Sequence, residues 1–362
     1  MMELQPRHGG QLRHLADRFG ISAPRLLDFS ANINPEGPSA AVSTALRQAL
    51  NEPSILTNYP DLDEIELRKS LARYAGVRPK NVMVANGFVP LLDAALRVLP
   101  VQTCLVPVPA FVEYRRALER SRVEMIPHAL TSDSDFSFNT ADLFNNSCDA
   151  ILLANPQNPA GVLCSRETML RVVEEAAMRN TYVLLDEAFI DYCPEISLAP
   201  EVDRFSNLIV FRSITKFFGM AGLRVAYAAA NADVCKQLQD AIAPWPVTTL
   251  ASLAAGLAVQ DKAYMQRTIA LNNERRSRMQ SAIRKLGIHV YPSAANFLLL
   301  RLLCSIDCQR LWERLIREHH IVLRNCANYE NLTDRHLRIG VRTDSENERL
   351  IEALAYEVEN RQ

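Results

Sequence analysis

The chain has 362 residues, 48% of them apolar and 22% charged, with a formal net charge of −1. That length and apolar content suffice for one large and one small domain, each with its own core. The 40 basic and 41 acidic side chains are interspersed, which argues against nucleic acid or a membrane surface as the main partner.

The eight cysteines are scattered, and the closest pair, Cys304 and Cys308, has no His or Cys companion at zinc-site spacing. The segment Met1 to His8 carries no apolar signal-peptide core, and no stretch is long enough to span a bilayer. Together these features predict a cytoplasmic protein with reduced thiols.

In chain order, a helix is expected from about Asp61, with Glu64 completing a capping box, Leu67, Leu71 and Tyr74 on one face, and Gly76 just past its end. Apolar runs predict strands at 82–85, 104–107, 123–127, 150–154, 182–186 and 208–212. A helix from Ser165 should turn Leu170, Val173 and Ala177 inward. This alternation is the signature of an α/β fold with a mainly parallel sheet covered by helices on both faces. A long helix over 262–287 stops at Gly287. Strand patterns follow at 289–291 and 296–301, then a helix at 307–318, short strands near 321–324 and 336–341, and a closing helix from Ser345. That second part reads as a compact α+β domain.

Four of the strands run into polar segments, at the end of the sheet where open α/β folds bind ligands. The strand over 82–85 opens through Asn86 and Gly87 into a helix at Phe88-Val89-Pro90, whose first N–H groups can meet a phosphate. The strand over 150–154 leads into Asn155-Pro-Gln-Asn-Pro-Ala-Gly161, a stiff turn that aims Asn158 at the strand-end crevice. The strand over 182–186 ends on Asp186. The strand over 208–212 is followed by Ser213, Thr215 and Lys216, then by Gly222-Leu-Arg224. A lysine flanked by hydroxyls and an arginine suits an amine nucleophile acting on a phosphorylated aldehyde. Taken singly, each segment also reads as an ordinary turn, loop cap or structural charge. Their order and spacing make them a set.

That set resembles the fold-type I pyridoxal phosphate (PLP) enzymes of the aspartate aminotransferase superfamily, from about His8-Gly9-Gly10 to the region 338–347. Within it the chain is similar to the histidinol-phosphate aminotransferase branch, and most of all to L-threonine-O-3-phosphate decarboxylases of cobalamin biosynthesis. The narrower match is carried by His8-Gly-Gly10, Asp28-Phe-Ser-Ala-Asn-Ile-Asn-Pro35, Asn58-Tyr-Pro-Asp61, Pro109-Ala-Phe-Val-Glu-Tyr114, Leu185-Asp-Glu-Ala-Phe-Ile-Asp-Tyr192, Arg324-Asn-Cys-Ala-Asn-Tyr329 and Leu337-Arg-Ile-Gly-Val-Arg342.

The resemblance implies a large PLP-binding domain over 37–270, a small C-terminal domain over 271–362, and an N-terminal segment, 1–36, packed with the small one. It implies PLP as cofactor and Lys216 as the catalytic amine. Asp186 would keep the ring nitrogen protonated, Asn158 would donate to the phenolic oxygen, and Phe111 would stack on the ring. Gly87, Phe88, Val89, Ser213, Thr215 and Arg224 would hold the cofactor phosphate. Tyr59 would reach the cofactor phosphate of a partner subunit, which implies a homodimer with shared active sites, and Trp245 would pack near the interface. Arg338 would grip the substrate α-carboxylate, with Arg324, His8 and Asn32 at a phosphate on the substrate's far end.

Because the Cα bond held perpendicular to the cofactor ring is the one that breaks, such clamps select the reaction. The implied activity is decarboxylation of L-threonine O-3-phosphate, or a close phosphorylated or phosphonate analogue, to an aminoalkyl phosphate and CO2. The alternatives are a histidinol-phosphate-type aminotransferase using a 2-oxo acid and a non-catalytic ligand-sensing protein. The chain departs from the family pattern at Gly87-Phe88-Val89-Pro90, where polar side chains are usual, and at Ala110 and Ala160.

Overall fold

A computed structural model describes residues 8–359. The sequence up to Arg7, read above as lacking a signal core, lies outside them. The strands are β1 (Leu27–Asp28), β2 (Val82–Ala85), β3 (Thr103–Val108), β4 (Glu124–Ala129), β5 (Ala150–Ala154), β6 (Tyr182–Asp186), β7 (Leu208–Ser213), β8 (Ala226–Ala229), β9 (His289–Val290), β10 (Phe297–Arg301), β11 (Ile321–Val322), β12 (Arg324–Asn325) and β13 (His336–Gly340).

Seven of them form the large sheet, in the order β2-β8-β7-β6-β5-β3-β4. Every pairing from β7 to β4 is parallel, and only β8 runs antiparallel to its neighbours. Apolar runs such as Ile151-Leu-Leu153 and Val183-Leu-Leu185 are buried completely or nearly so, as expected for strands covered on both faces. Two apolar clusters flank this sheet, one built on Leu105, Ile151, Leu185 and Val210, the other on Val106, Leu152, Leu184 and Ile209. Alternate residues of the same strands feed opposite cores. The strand β8 escaped the sequence reading because Ala-Tyr-Ala-Ala has little of the β-branched signal.

The helix Ile65–Ala75 ends at Gly76 as expected, but its start differs from a capping box. Glu64 sits in the left-handed region (φ 48°) and does not reach back. The Ile65 N–H instead donates to Asp61 Oδ2 at 2.8 Å, while Ser252 donates to Glu64 at 2.7 Å. In the helix Arg166–Met178 the inward face is Met169, Val172, Val173 and Ala176. Leu170 is only partly buried and Ala177 is exposed, one step out of phase with the expectation.

The small sheet is antiparallel, in the order β12-β13-β10-β9. The helix Cys308–Arg317 covers it with Leu311, Trp312 and Leu315, and the buried indole donates to the Leu323 carbonyl at 2.8 Å. The N-terminal part joins this unit. Strand β1 pairs parallel with β11, the Gly340 N–H donates to Phe29 O at 2.8 Å, and Leu15, Leu26 and Phe29 enter the same apolar cluster. All eight cysteines are unbridged, and no helix among the described residues is long and apolar enough to cross a membrane.

Candidate active site

Asp186 ends β6 and Ser213 ends β7, while Asn158 and Gly87 lie just past β5 and β2. Because β5, β6 and β7 are parallel neighbours, their C-terminal ends open at one edge of the sheet. A cavity of about 270 Å³ occupies that edge. It is lined by Gly87, Phe88, Val89, Phe111, Asn158, Asp186, Ser213, Thr215, Lys216 and Arg224 from the large domain. His8, Asn32, Arg324 and Arg338 reach it from the N-terminal segment and the small sheet. Every site residue expected from the sequence therefore lines one pocket, except Tyr59. That ring is 79% exposed and stacks on Trp245, with centroids 4.6 Å apart.

Lys216 is buried, and its pKa is lowered to about 8, first by desolvation and then by the charges of Arg338 and Arg224, against an opposing pull from Asp186. A much larger neutral fraction than an exposed lysine has is what an amine nucleophile needs. Asp186 is also buried, and desolvation raises its pKa. Two hydrogen bonds favour its charged form: Tyr114 Oη donates to Oδ2 at 2.5 Å and the Ala188 N–H donates to Oδ1 at 2.9 Å. Tyr114 was not singled out in the sequence as a site residue. Its position three residues after Phe111, at the start of the helix Val112–Ser121, puts both rings on one helix face, and that spacing was readable.

At the opposite end, the helix Phe88–Val98 begins at Gly87 without a side-chain cap. Its first N–H groups have no acceptor within the helix. Gly87 has φ 92°, and a Cβ there would lie 2.6 Å from Arg224 Nη2. The Ser213 and Thr215 hydroxyls are 2.6 Å apart beside it. Behind them the buried Arg212 pairs with Asp191, which also accepts from Tyr74 Oη at 2.5 Å. This ties the end of β7 to the loop after β6.

The facing wall comes from β12 and β13. Arg324 and Arg338 are register partners on these strands and are only 3% and 6% exposed. Arg338 donates to Asn158 Oδ1 at 2.6 Å, to Tyr329 Oη at 3.3 Å and to the Ser30 carbonyl at 3.2 Å. The Asn158 oxygen is thereby engaged, which leaves its NH2 group to donate into the pocket. Arg324 donates to Asn328 Oδ1 at 2.8 Å. His8 faces Glu113 at 2.9 Å, and its pKa is lowered by burial in the first place, with the Arg324 charge contributing. The neighbouring Gly9 admits no side chain, because a Cβ would fall 2.0 Å from the Ser30 carbonyl oxygen. Asn32 is buried, and its Oδ1 has no hydrogen-bond partner among the described residues.

Comparison with known proteins decides the family. The aminotransferase class I and II profile matches residues 24–354. The chain belongs to that family. It is 35% identical over 352 residues to the threonine-phosphate decarboxylase of Salmonella typhimurium, covering 96% of this chain and 95% of that one. The crystal structure of L-threonine-O-3-phosphate decarboxylase from Porphyromonas gingivalis superposes with a TM-score of 0.81 at 26% identity, over 92% of this chain and 99% of that one. The histidinol-phosphate aminotransferase from Clostridium acetobutylicum superposes with a TM-score of 0.86 at 27% identity, over 92% of this chain and 100% of that one.

The chain is thus a fold-type I PLP enzyme, and the pocket fits the cofactor. Asp186 offers a buried carboxylate to the ring nitrogen, Asn158 a free amide N–H, Phe111 a ring wall and Lys216 a tuned amine. The helix N-terminus with Ser213, Thr215 and Arg224 offers donors to the phosphate. When bound, the cofactor supplies an electron sink.

Proposed function

We propose that this chain decarboxylates L-threonine O-3-phosphate, or a close phosphorylated or phosphonate amino acid, to the aminoalkyl phosphate and CO2, in the synthesis of the cobalamin side chain. The observation that carries this reading is the pair of buried arginines, Arg324 and Arg338, side by side on the wall facing Lys216. A substrate with an anion at each end matches two guanidinium groups. Arg338, tied to Asn158, takes the α-carboxylate next to the cofactor. Arg324, with His8 and Asn32, takes the distal phosphate. Lys216 Nζ then delivers a proton to Cα once CO2 has left. The likeness to the Salmonella decarboxylase over nearly the whole of both chains supports the same assignment.

We also propose a homodimer with shared sites. The Tyr59–Trp245 stack is exposed, as are Leu56, Leu62 and Ile65 close to Tyr59 in the chain, and a second copy would cover them. The pairing of β1 with β11 supports grouping the first 36 residues with the domain over 271–362, apart from the large domain over 37–270. The unbridged cysteines fit a reducing cytoplasm.

A histidinol-phosphate-type aminotransferase is the second reading, favoured by the higher TM-score of 0.86 to the Clostridium enzyme. Product analysis separates the two. The protein with PLP is given L-threonine O-3-phosphate with and without 2-oxoglutarate, and products are read by mass spectrometry. Loss of CO2 without the oxo acid is the expected result. Product formed only with 2-oxoglutarate would make the chain an aminotransferase.

A further inference from the structure

Strands β12 and β13 pair so that Arg324 and Arg338 stand directly opposite one another. Like charges in that relation repel, and their Cβ atoms are only about 5 Å apart. Burial makes the repulsion more costly, since water does not screen it. Something must hold the two guanidinium groups in place, and Tyr329 touches both. Its ring lies against Arg324, whose Cζ is 5.1 Å from the centroid. Its hydroxyl oxygen accepts from Arg338 Nη1 at 3.3 Å. The same side chain is buried and lines the pocket. Among the described residues, Arg338 is hydrogen-bonded to neutral oxygens alone. A buried cation held in this way keeps its charge for an incoming anion.

We infer that Tyr329 is a positioning residue that sets the span between the two anion sites, so that the pocket selects dianionic amino acids by the number of atoms separating their acid groups. The inference rests on the reading of Arg324 and Arg338 as clamps for the two ends of the substrate. In L-threonine O-3-phosphate three atoms, Cα, Cβ and the ester oxygen, separate the carboxylate carbon from phosphorus. A shorter or longer acid would leave one guanidinium underused.

The test is calorimetric titration of the holoenzyme with carboxyalkyl phosphonates that carry two, three or four methylenes between the acid groups. They lack an amine, so binding is read without chemistry at the cofactor. The wild-type protein is expected to bind the three-methylene acid tightest, with a loss of roughly tenfold for either neighbour. Tyr329→Leu removes both contacts, and the preference should shrink to within about twofold. Tyr329→Phe keeps the ring but loses the bond to Arg338, so the preference should persist while all three acids bind roughly fivefold more weakly.

A Tyr329→Leu protein with the wild-type length preference overturns the inference and leaves the two clamps standing. Wild-type protein that binds the series without preference, or not at all, removes the clamps and the inference together. If the leucine variant does not fold, Tyr329→Met is read by the same criterion: a preference reduced to within about twofold supports the inference, and the wild-type preference overturns it.

Discussion

The two walls of the pocket solve opposite problems. At the end of the large sheet the charged groups are tuned from within: Asp186 already holds bonds from Tyr114 and Ala188, and the buried Arg212 has Asp191. On the small-sheet wall Arg338 is hydrogen-bonded, among the described residues, to neutral oxygens alone, directly opposite a second buried arginine. The first wall is preorganised for one resident group. Under the proposed function, the second holds positive charge in reserve for an anion that arrives and leaves with each turnover. Cofactor retention and substrate choice should therefore be separable by mutation.

The largest effect is expected at the point where the walls meet. Lys216→Ala should abolish turnover together with the visible absorbance of lysine-bound cofactor, and an unchanged spectrum would contradict the assignment of that amine. The internal pairing of the large-sheet wall can be broken by Arg212→Met, which leaves Asp191 buried without its cation. Urea unfolding should register a loss of about 3–5 kcal/mol, and a loss under about 1 kcal/mol would mean the pair is not what fastens β7.

The lysine also makes a pH prediction for cofactor-free protein. Its folded pKa, about 8, is lowered from the ordinary lysine value of 10.5, so the folded state holds fewer protons than the unfolded one between those limits. The penalty for burying the charge is full below pH 8, declines as the pH rises and is gone above 10.5. The stability gain of Lys216→Met over wild type should therefore be largest near neutrality and shrink across that window. A gain independent of pH would mean that the lysine is not desolvated. A smaller effect, confined to the cofactor, is expected of Gly87→Ala. The strained φ and the displaced Arg224 tip should weaken PLP binding roughly tenfold, with the substrate KM unchanged at saturating cofactor.

Much of the large-sheet wall was legible in the sequence, because its residues sit just past continuous apolar runs, and strand ends of a parallel sheet converge by topology. Asp186, Asn158 and Lys216 needed little more than that. The roles expected of Arg324 and Arg338 came from resemblance, since nothing local marks two short polar strands as partners fourteen residues apart in register. Tyr114 and Tyr329 act through contacts made only on folding. The hydrogen bond from Tyr114 spans 72 residues of chain, although its helical spacing from Phe111 was a usable clue. Glu64 misled because the tetrapeptide matched a capping box while its backbone took the left-handed region and Asp61 did the capping.

The division of labour between the walls is tested most directly by one variant read in two ways. Arg324→Ala is titrated with PLP, and its steady-state kinetics are measured with L-threonine O-3-phosphate and with unphosphorylated threonine. The account predicts a PLP dissociation constant within about twofold of wild type and a KM for the phosphorylated substrate raised on the order of a hundredfold, with little change for the parent amino acid. Equal effects on both substrates, or a parallel loss of cofactor affinity, would contradict it.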